Sequence, residues 1–160
     1  MTDPERLVTD HYVEVYRLAL RLLADPDAAM DLTQEVFYRA VRALPRFRAE
    51  SSPRTWLYRI TLNEARRRRP RLPPLDLDAA LSRPDPTAQT EAAALAALDA
   101  QRLHVLIRAL PDREREAIVL HHLHGLAVTE VAGLLGAGEN TTKTWLRRGR
   151  ERLRKLWGDR

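Results

Sequence analysis

Near the C-terminus, Thr141, Lys143, Thr144, Arg147 and Arg148 recur at spacings of three and four, which a helix turns toward one side. Hydroxyl and guanidinium groups suit the edges of base pairs, and the cations that follow, Arg150, Arg152, Arg154 and Lys155, suit the phosphates of a nucleic-acid backbone. A second set lies earlier in the chain. Trp56, Arg59, Asn63, Arg66 and Arg67 are separated by three, four and seven residues and combine a stacking surface, an amide and guanidiniums, the groups needed to read and hold bases. Trp56 reads equally as a core residue or as a stacking platform. A third set, Asp31, Gln34, Glu35 and Tyr38 beside Phe37, makes either a solvated helix face or a protein-docking patch, since aromatic residues are favoured at interfaces.

Other chemistry finds no footing. His121, His122 and His124 are close in sequence, but the chain has no cysteine and no nearby carboxylate to complete a metal site, so no metal is assigned. There is no GxSxG, no HExxH and no phosphate-cradling glycine loop, and neither a catalytic residue nor a cofactor is expected.

The elements that must present these groups follow from periodicity and punctuation. Between Asp3 and about Ala24, Leu7, Val8, Val15, Leu18, Leu22 and Leu23 form the apolar stripe of a core-facing helix. Asp25-Pro26 supplies a cap and a first-turn proline for a second helix, whose stripe is Leu32, Val36, Ala40 and Leu44. Pro45 ends it. Residues Arg46 to Ser51 then form a loop before Ser52-Pro53 opens a third helix by the same device, with Leu57, Ile60, Leu62 and Ala65 on its buried side. From Pro70 the sequence turns proline-rich and mostly acidic, without a sustained period, and reads as an extended linker and domain boundary.

A helix resumes near Thr90 and breaks at Leu110-Pro111; Asp112 is the expected cap of the next helix, which Gly125 ends. Two short helical patterns then flank Gly136-Ala137-Gly138. Val131, Leu134 and Leu135 face inward from the first, and Leu146, Leu153 and Leu156 from the second, which carries the basic face; this is a helix-turn-helix. Gly149 interrupts that second helix and, on propensity alone, weakens it by up to about 1 kcal/mol relative to Ala.

At 160 residues, 44% hydrophobic and 31% charged, the chain holds one ordinary domain or two small helical ones. Its 27 Lys and Arg against 22 Asp and Glu leave a formal +5, concentrated in clusters such as Arg66 to Arg69, which calls for an anionic partner or a solvated tail. The N-terminus lacks the apolar core of a secretory signal and nowhere do eighteen apolar residues run together, so a soluble, cytoplasmic protein without membrane insertion is expected.

Two DNA-facing helices in separate halves need a joint explanation. The first half contains DLTQEVFYRAVRALPRFR followed by SSPRTWLYRITLNEARRR; the second contains ALPDREREAIVLHHLHGL, EVAGLLG and TTKTWLRRGRERLR. In these strings and their order the chain resembles the extracytoplasmic-function (ECF) sigma factors of bacterial RNA polymerase, within the sigma-70 family. The resemblance implies an all-α fold of two small helical domains, region two (residues 1–69) and region four (91–160), joined by a flexible linker (70–90) that enters the polymerase cleft. It implies that Asp31, Gln34, Glu35, Phe37 and Tyr38 belong to a segment that docks on the clamp helices of the largest polymerase subunit, with the flap as a further contact. It also implies that the loop Arg46 to Ser51 captures a flipped minus-ten base, that Trp56, Arg59, Asn63, Arg66 and Arg67 read and open the minus-ten element, and that Thr141, Lys143, Thr144, Arg147 and Arg148 read the minus-thirty-five element. Core RNA polymerase and promoter DNA are the implied partners, an anti-sigma protein is a candidate third, and no small-molecule substrate is implied. The rival readings are a helix-turn-helix regulator with an N-terminal dimerisation or sensing domain, and a helical RNA-binding or scaffold protein recognised by charge alone.

Overall fold

The computed structural model describes residues 3–69 and 90–158, apart from the side chain of Ala94, and every regular element among them is helical. The linker expected over residues 70–90 lies outside the described residues except for Thr90. In the first half, α1 (Pro4–Leu23), α2 (Pro26–Ala43) and α3 (Pro53–Arg68) pack on one another, with a short 3-10 turn at Leu44–Arg46. The second half comprises α4 (Glu91–Arg108), α5 (Asp112–Ile118) continuing into a π-helical turn (Val119–Leu123), α6 (Val128–Leu135) and α7 (Glu139–Gly158).

Local chemistry sets the helix ends. The Asp25 carboxylate accepts from the Ala28 N–H at 3.1 Å, Ser52 Oγ from the Thr55 N–H at 3.1 Å and Thr90 Oγ1 from the Ala93 N–H at 3.0 Å, each satisfying one orphan donor. Gly125 and Gly136, at φ +70° and +66°, terminate their helices in the left-handed conformation that costs glycine little. One expected cap is corrected. Asp112 lies inside α5 and Pro111 holds the cap position, because the Asp112 carboxylate is turned to the guanidiniums of Arg115, at 3.0 Å, and Arg69. Arg115 is itself fully buried and also donates to the Leu110 carbonyl at 3.0 Å, tying the α4–α5 turn shut.

The buried apolar residues form one cluster that runs through both halves: Leu18, Leu22, Leu32, Val36, Leu57 and Leu62 join Ile107, Leu110, Ile118, Leu120, Val131 and Leu146. The predicted stripes of α1 and α2 supply its first half, except that Val8 and Leu44 are only partly buried. Phe37 also belongs to this core. It is 6% exposed and stacks on Tyr12 at 5.9 Å, so the ring expected at a docking face is a packing residue instead. In the second half α7 crosses α5 at Gly149, where a Cβ would stand 2.7 Å from Ile118 Cγ1. The glycine that weakens the helix by propensity therefore permits its close packing on Ile118. Among the described residues no helix is long and apolar enough to cross a membrane.

Candidate nucleic-acid interface

The helix-turn-helix is α6, the Gly136 turn and α7. Thr142, Leu146 and Gly149 fix the inward face of α7: Thr142 is buried with Oγ1 donating to the Gly138 carbonyl at 2.9 Å, Leu146 enters the core, and Trp145 lies half-buried beneath the Arg113 guanidinium. Because inward residues occupy these positions, Thr141, Lys143, Arg147 and Arg148 project into solvent together, with Thr144 partly exposed beside them. This is the arrangement expected of the five. Thr144 Oγ1 donates to the Asn140 carbonyl at 3.0 Å, which leaves its oxygen lone pairs free to accept. Of the cations further along, Arg152 is committed elsewhere, to the Glu114 carboxylate at 2.8 Å.

The second surface is α3 with the loop before it. Phe47 stacks on Trp56 with ring centroids 4.6 Å apart, and Arg46, Arg48, Glu50, Ser51 and Arg59 complete an open cleft of about 390 Å³ around the pair. Trp56 is thus both core and platform: it packs against the buried cluster and offers an edge to this cleft. Ala49, within this loop, takes φ +56°, a left-handed conformation uncommon for a residue with a side chain. Arg59, Asn63 and Arg67 are exposed along α3, and Arg67 meets the buried Glu64 carboxylate at 3.2 Å, which Arg39 also reaches at 3.2 Å. Arg66 is the exception. Its Nε and Nη2 donate to Glu116 on α5 at 2.8 and 2.9 Å, a bidentate pair with a carboxylate only 2% exposed. Residues 46–51 and Phe47 in particular carried a signal in the loop's cations and its ring, whereas Glu116 had none.

On α2 the structure leaves Asp31, Gln34 and Tyr38 exposed and Glu35 partly so, with Glu35 accepting from Arg39 at 2.8 Å and Asp31 from Arg68 at 2.7 Å. Of the histidines, His124 is held between the halves: Arg21 on α1 donates to its Nε2 at 3.0 Å, which makes Nδ1 the protonated nitrogen and the donor to Tyr58 Oη at 3.1 Å. Burial, with Arg21 and Arg54 nearby, lowers its pKa to about 4, so the ring is neutral near pH 7. His121 Nδ1 donates to the Leu126 carbonyl at 2.7 Å, and no cluster of metal-binding side chains occurs among the described residues.

Among the described residues, fold and surfaces define an all-helical protein with two exposed basic helices on separate halves of one chain. Comparison with known proteins narrows this class. The models of Sigma-70 region 2 and Sigma-70 region 4 match residues 7–71 and 100–153. The chain is 34% identical to the ECF RNA polymerase sigma factor SigE of Mycolicibacterium smegmatis over 96% of its own length and 61% of that protein's. It is 32% identical to the RNA polymerase sigma-H factor of Pseudomonas aeruginosa, covering 93% of this chain and 83% of the relative. Identity with the ECF sigma factor SigW of Bacillus subtilis is 31%, over 95% and 88%. Among solved structures, CnrH in complex with the cytosolic domain of CnrY is similar at TM-score 0.73 and 25% identity, covering 98% of this chain and 88% of that one. The sigma factor RpoE of Bartonella quintana, solved with the anti-sigma factor NepR, shares the fold at TM-score 0.72 and 22% identity, with 96% of each chain covered. The chain belongs to the ECF sigma factors of the sigma-70 family.

Proposed function

We propose that this chain directs core RNA polymerase to promoters, with α7 holding the minus-thirty-five element and α3 with its preceding loop holding the opened minus-ten element. The observation that carries the reading is the presence, on one chain, of two exposed basic faces of different chemistry. Thr141, Lys143, Thr144, Arg147 and Arg148 form a helical face fit for a major groove, whereas the Phe47–Trp56 pair is flanked by Arg46, Arg48 and Arg59 in a cleft fit for an unstacked base. Extruding a base costs about a few kcal/mol, and stacking against an aromatic pair in a cationic cleft offsets it.

The polymerase docks on the exposed side of α2, through Asp31, Gln34, Glu35 and Tyr38, while Phe37 supports that surface from beneath. The factor works in the cytoplasm and has no catalytic step of its own; RNA synthesis belongs to the polymerase. An anti-sigma protein is a further partner, by analogy with the RpoE structure, which is of such a complex.

Run-off transcription tests this. Core enzyme plus this protein initiates from a cognate promoter, and the combined changes Asn63→Ala and Arg67→Ala abolish initiation while polymerase binding persists. Promoter opening that survives both changes refutes the assignment of α3.

A further inference from the structure

The π-helical turn Val119–Leu123 carries two histidines that the promoter reading leaves unused. Such turns are rare and occur often at functional sites, where they re-aim a side chain. Here the wide turn, closed by the His124 N–H on the Val119 carbonyl at 3.0 Å, sends the two rings different ways. His121 turns back to the Leu126 carbonyl, whereas His122 stays exposed, edge-on to His121 with ring centroids 4.8 Å apart, and reaches α7. There the Arg150 guanidinium donates to His122 Nε2 at 3.3 Å, so this nitrogen carries no proton. Among the described residues neither group has a carboxylate in ion-pair contact. Arg150 also belongs to a longer array. Lys143, Arg147, Arg150 and Arg154 are spaced by four, three and four residues, which places them along one flank of α7 as an exposed row about 16 Å long. Within it Arg147 meets Glu151 at 3.7 Å, an exposed pair that a phosphate readily replaces. A row of cations beside the base-reading face follows a single phosphate backbone.

We infer that His122 and Arg150 hold one DNA backbone phosphate between them and that the histidine takes up a proton as it binds, so that the hold of α7 on duplex DNA tightens as pH falls. The inference rests on the reading of α7 given above. In the free chain partial burial, and then His121 and Arg150, keep the His122 ring below the usual histidine range. The charged groups facing it are those two. Arg21 of α1 is engaged by His124 and the Leu123 carbonyl, and Glu130 of α6 acts on Arg54. A phosphate oxygen reverses the balance, because it favours the imidazolium and takes over the Arg150 N–H that the neutral ring accepted. The bound state therefore carries more protons than the free one, and by linkage affinity rises as pH falls.

The test measures binding of the full chain to a short fluorescent DNA duplex of randomised sequence, over a range of salt, at about pH 8 and about pH 6. This window stays above the pH near 4 at which His124 titrates, so that ring remains neutral throughout. From the higher to the lower pH, affinity rises about fivefold, within the roughly tenfold per pH unit that one linked proton allows. The slope of log affinity against log salt steepens by about 0.9 over the same change, the contribution of one added cation on a duplex.

His122→Gln keeps a neutral polar group at this exposed position, and most of both differences disappears. His122→Lys carries its charge at either pH and binds at about pH 8 as tightly as the unchanged chain does at about pH 6. His121→Gln, one residue back on the same turn, retains the pH dependence. A His122→Gln profile like that of the unchanged chain overturns the inference, as does loss of the pH dependence in His121→Gln. A flat profile for the unchanged chain overturns it too. In that case Lys143→Ala with Arg147→Ala identifies which premise failed: if it weakens duplex binding, the reading of α7 stands and only the phosphate role of His122 is wrong; if it does not, the reading of α7 has failed first.

Discussion

Replacing Gly149 by Ala sets helix propensity against packing, with opposite signs. Propensity favours Ala in a helix interior by about 1 kcal/mol, so a reading confined to α7 expects the change to stabilise the protein. The tertiary contact opposes it. The new Cβ would lie 2.7 Å from Ile118 Cγ1 and 3.1 Å from its Cδ1, both inside van der Waals contact, and Ile118 is 3% exposed. Cγ1 is bonded directly to Cβ, and a β-branched side chain in a helix has one strongly preferred χ1, so it cannot swing clear without leaving that rotamer. Either Ile118 is forced off-rotamer or α7 moves away from α5. Overpacking of this kind costs about 1–3 kcal/mol, and subtracting the propensity gain leaves a net loss of about 1 kcal/mol. For a chain of this size that lowers the melting temperature by about 2–4 °C.

Thermal and denaturant unfolding of Gly149→Ala measure the sign directly. A second variant isolates the cause, since Ile118→Ala removes the opposing atoms and leaves a cavity that the methyl introduced by Gly149→Ala partly fills, so the two changes together destabilise less than their sum. A rise in melting temperature for Gly149→Ala alone, or strict additivity in the pair, refutes the packing argument. Because α7 carries the basic face, a shift of α7 against α5 also misaligns that face, and weaker duplex binding accompanies the lost stability.

Two further outcomes follow from the same structure. The pKa of His124 is lowered to about 4 by burial and by Arg21, Arg54 and Arg17, with Tyr58 facing it from α3, whereas the unfolded ring titrates near about 6.5. The unfolded chain thus binds the extra proton first, so this contribution to stability is complete above about pH 6.5 and is lost as pH falls toward 4. Denaturant midpoints measured across that window show a shallower pH dependence in His124→Ala, although not a flat one, because burial also lowers His104 and His122; an unchanged slope contradicts the assignment. On α2, Phe37→Ala costs about 3–5 kcal/mol by emptying core volume, while Tyr38→Ala, at a ring 57% exposed, stays within about 0.5 kcal/mol and instead weakens polymerase binding. Equal losses of stability from the two would mean that the face of α2 has been misassigned.

Much of this protein is legible along the chain itself. Asp25-Pro26, Ser52-Pro53 and Thr90 start helices because a cap oxygen and the backbone N–H that donates to it lie within three residues, and Gly125 and Gly136 stop them because a left-handed residue is a local requirement. The outward set on α7 follows from helical period once Leu146 is known to face inward. What lies between segments distant in sequence was not legible. Nothing near Arg66 indicates that Glu116, fifty residues on, takes its guanidinium, or that Tyr58 and Arg21 hold the His124 ring. Phe37 belongs to the core because Tyr12 happens to meet it, and Asp112 abandons its capping role because Arg69 and Arg115 converge on it. Caps, turns and period act through neighbours a few residues away, so the sequence alone determined the helices and the two basic faces they display. The partners of Arg66 and His124, the burial of Phe37 and the sign of the effect at Gly149 depend on which surfaces meet, and only the tertiary structure decided them.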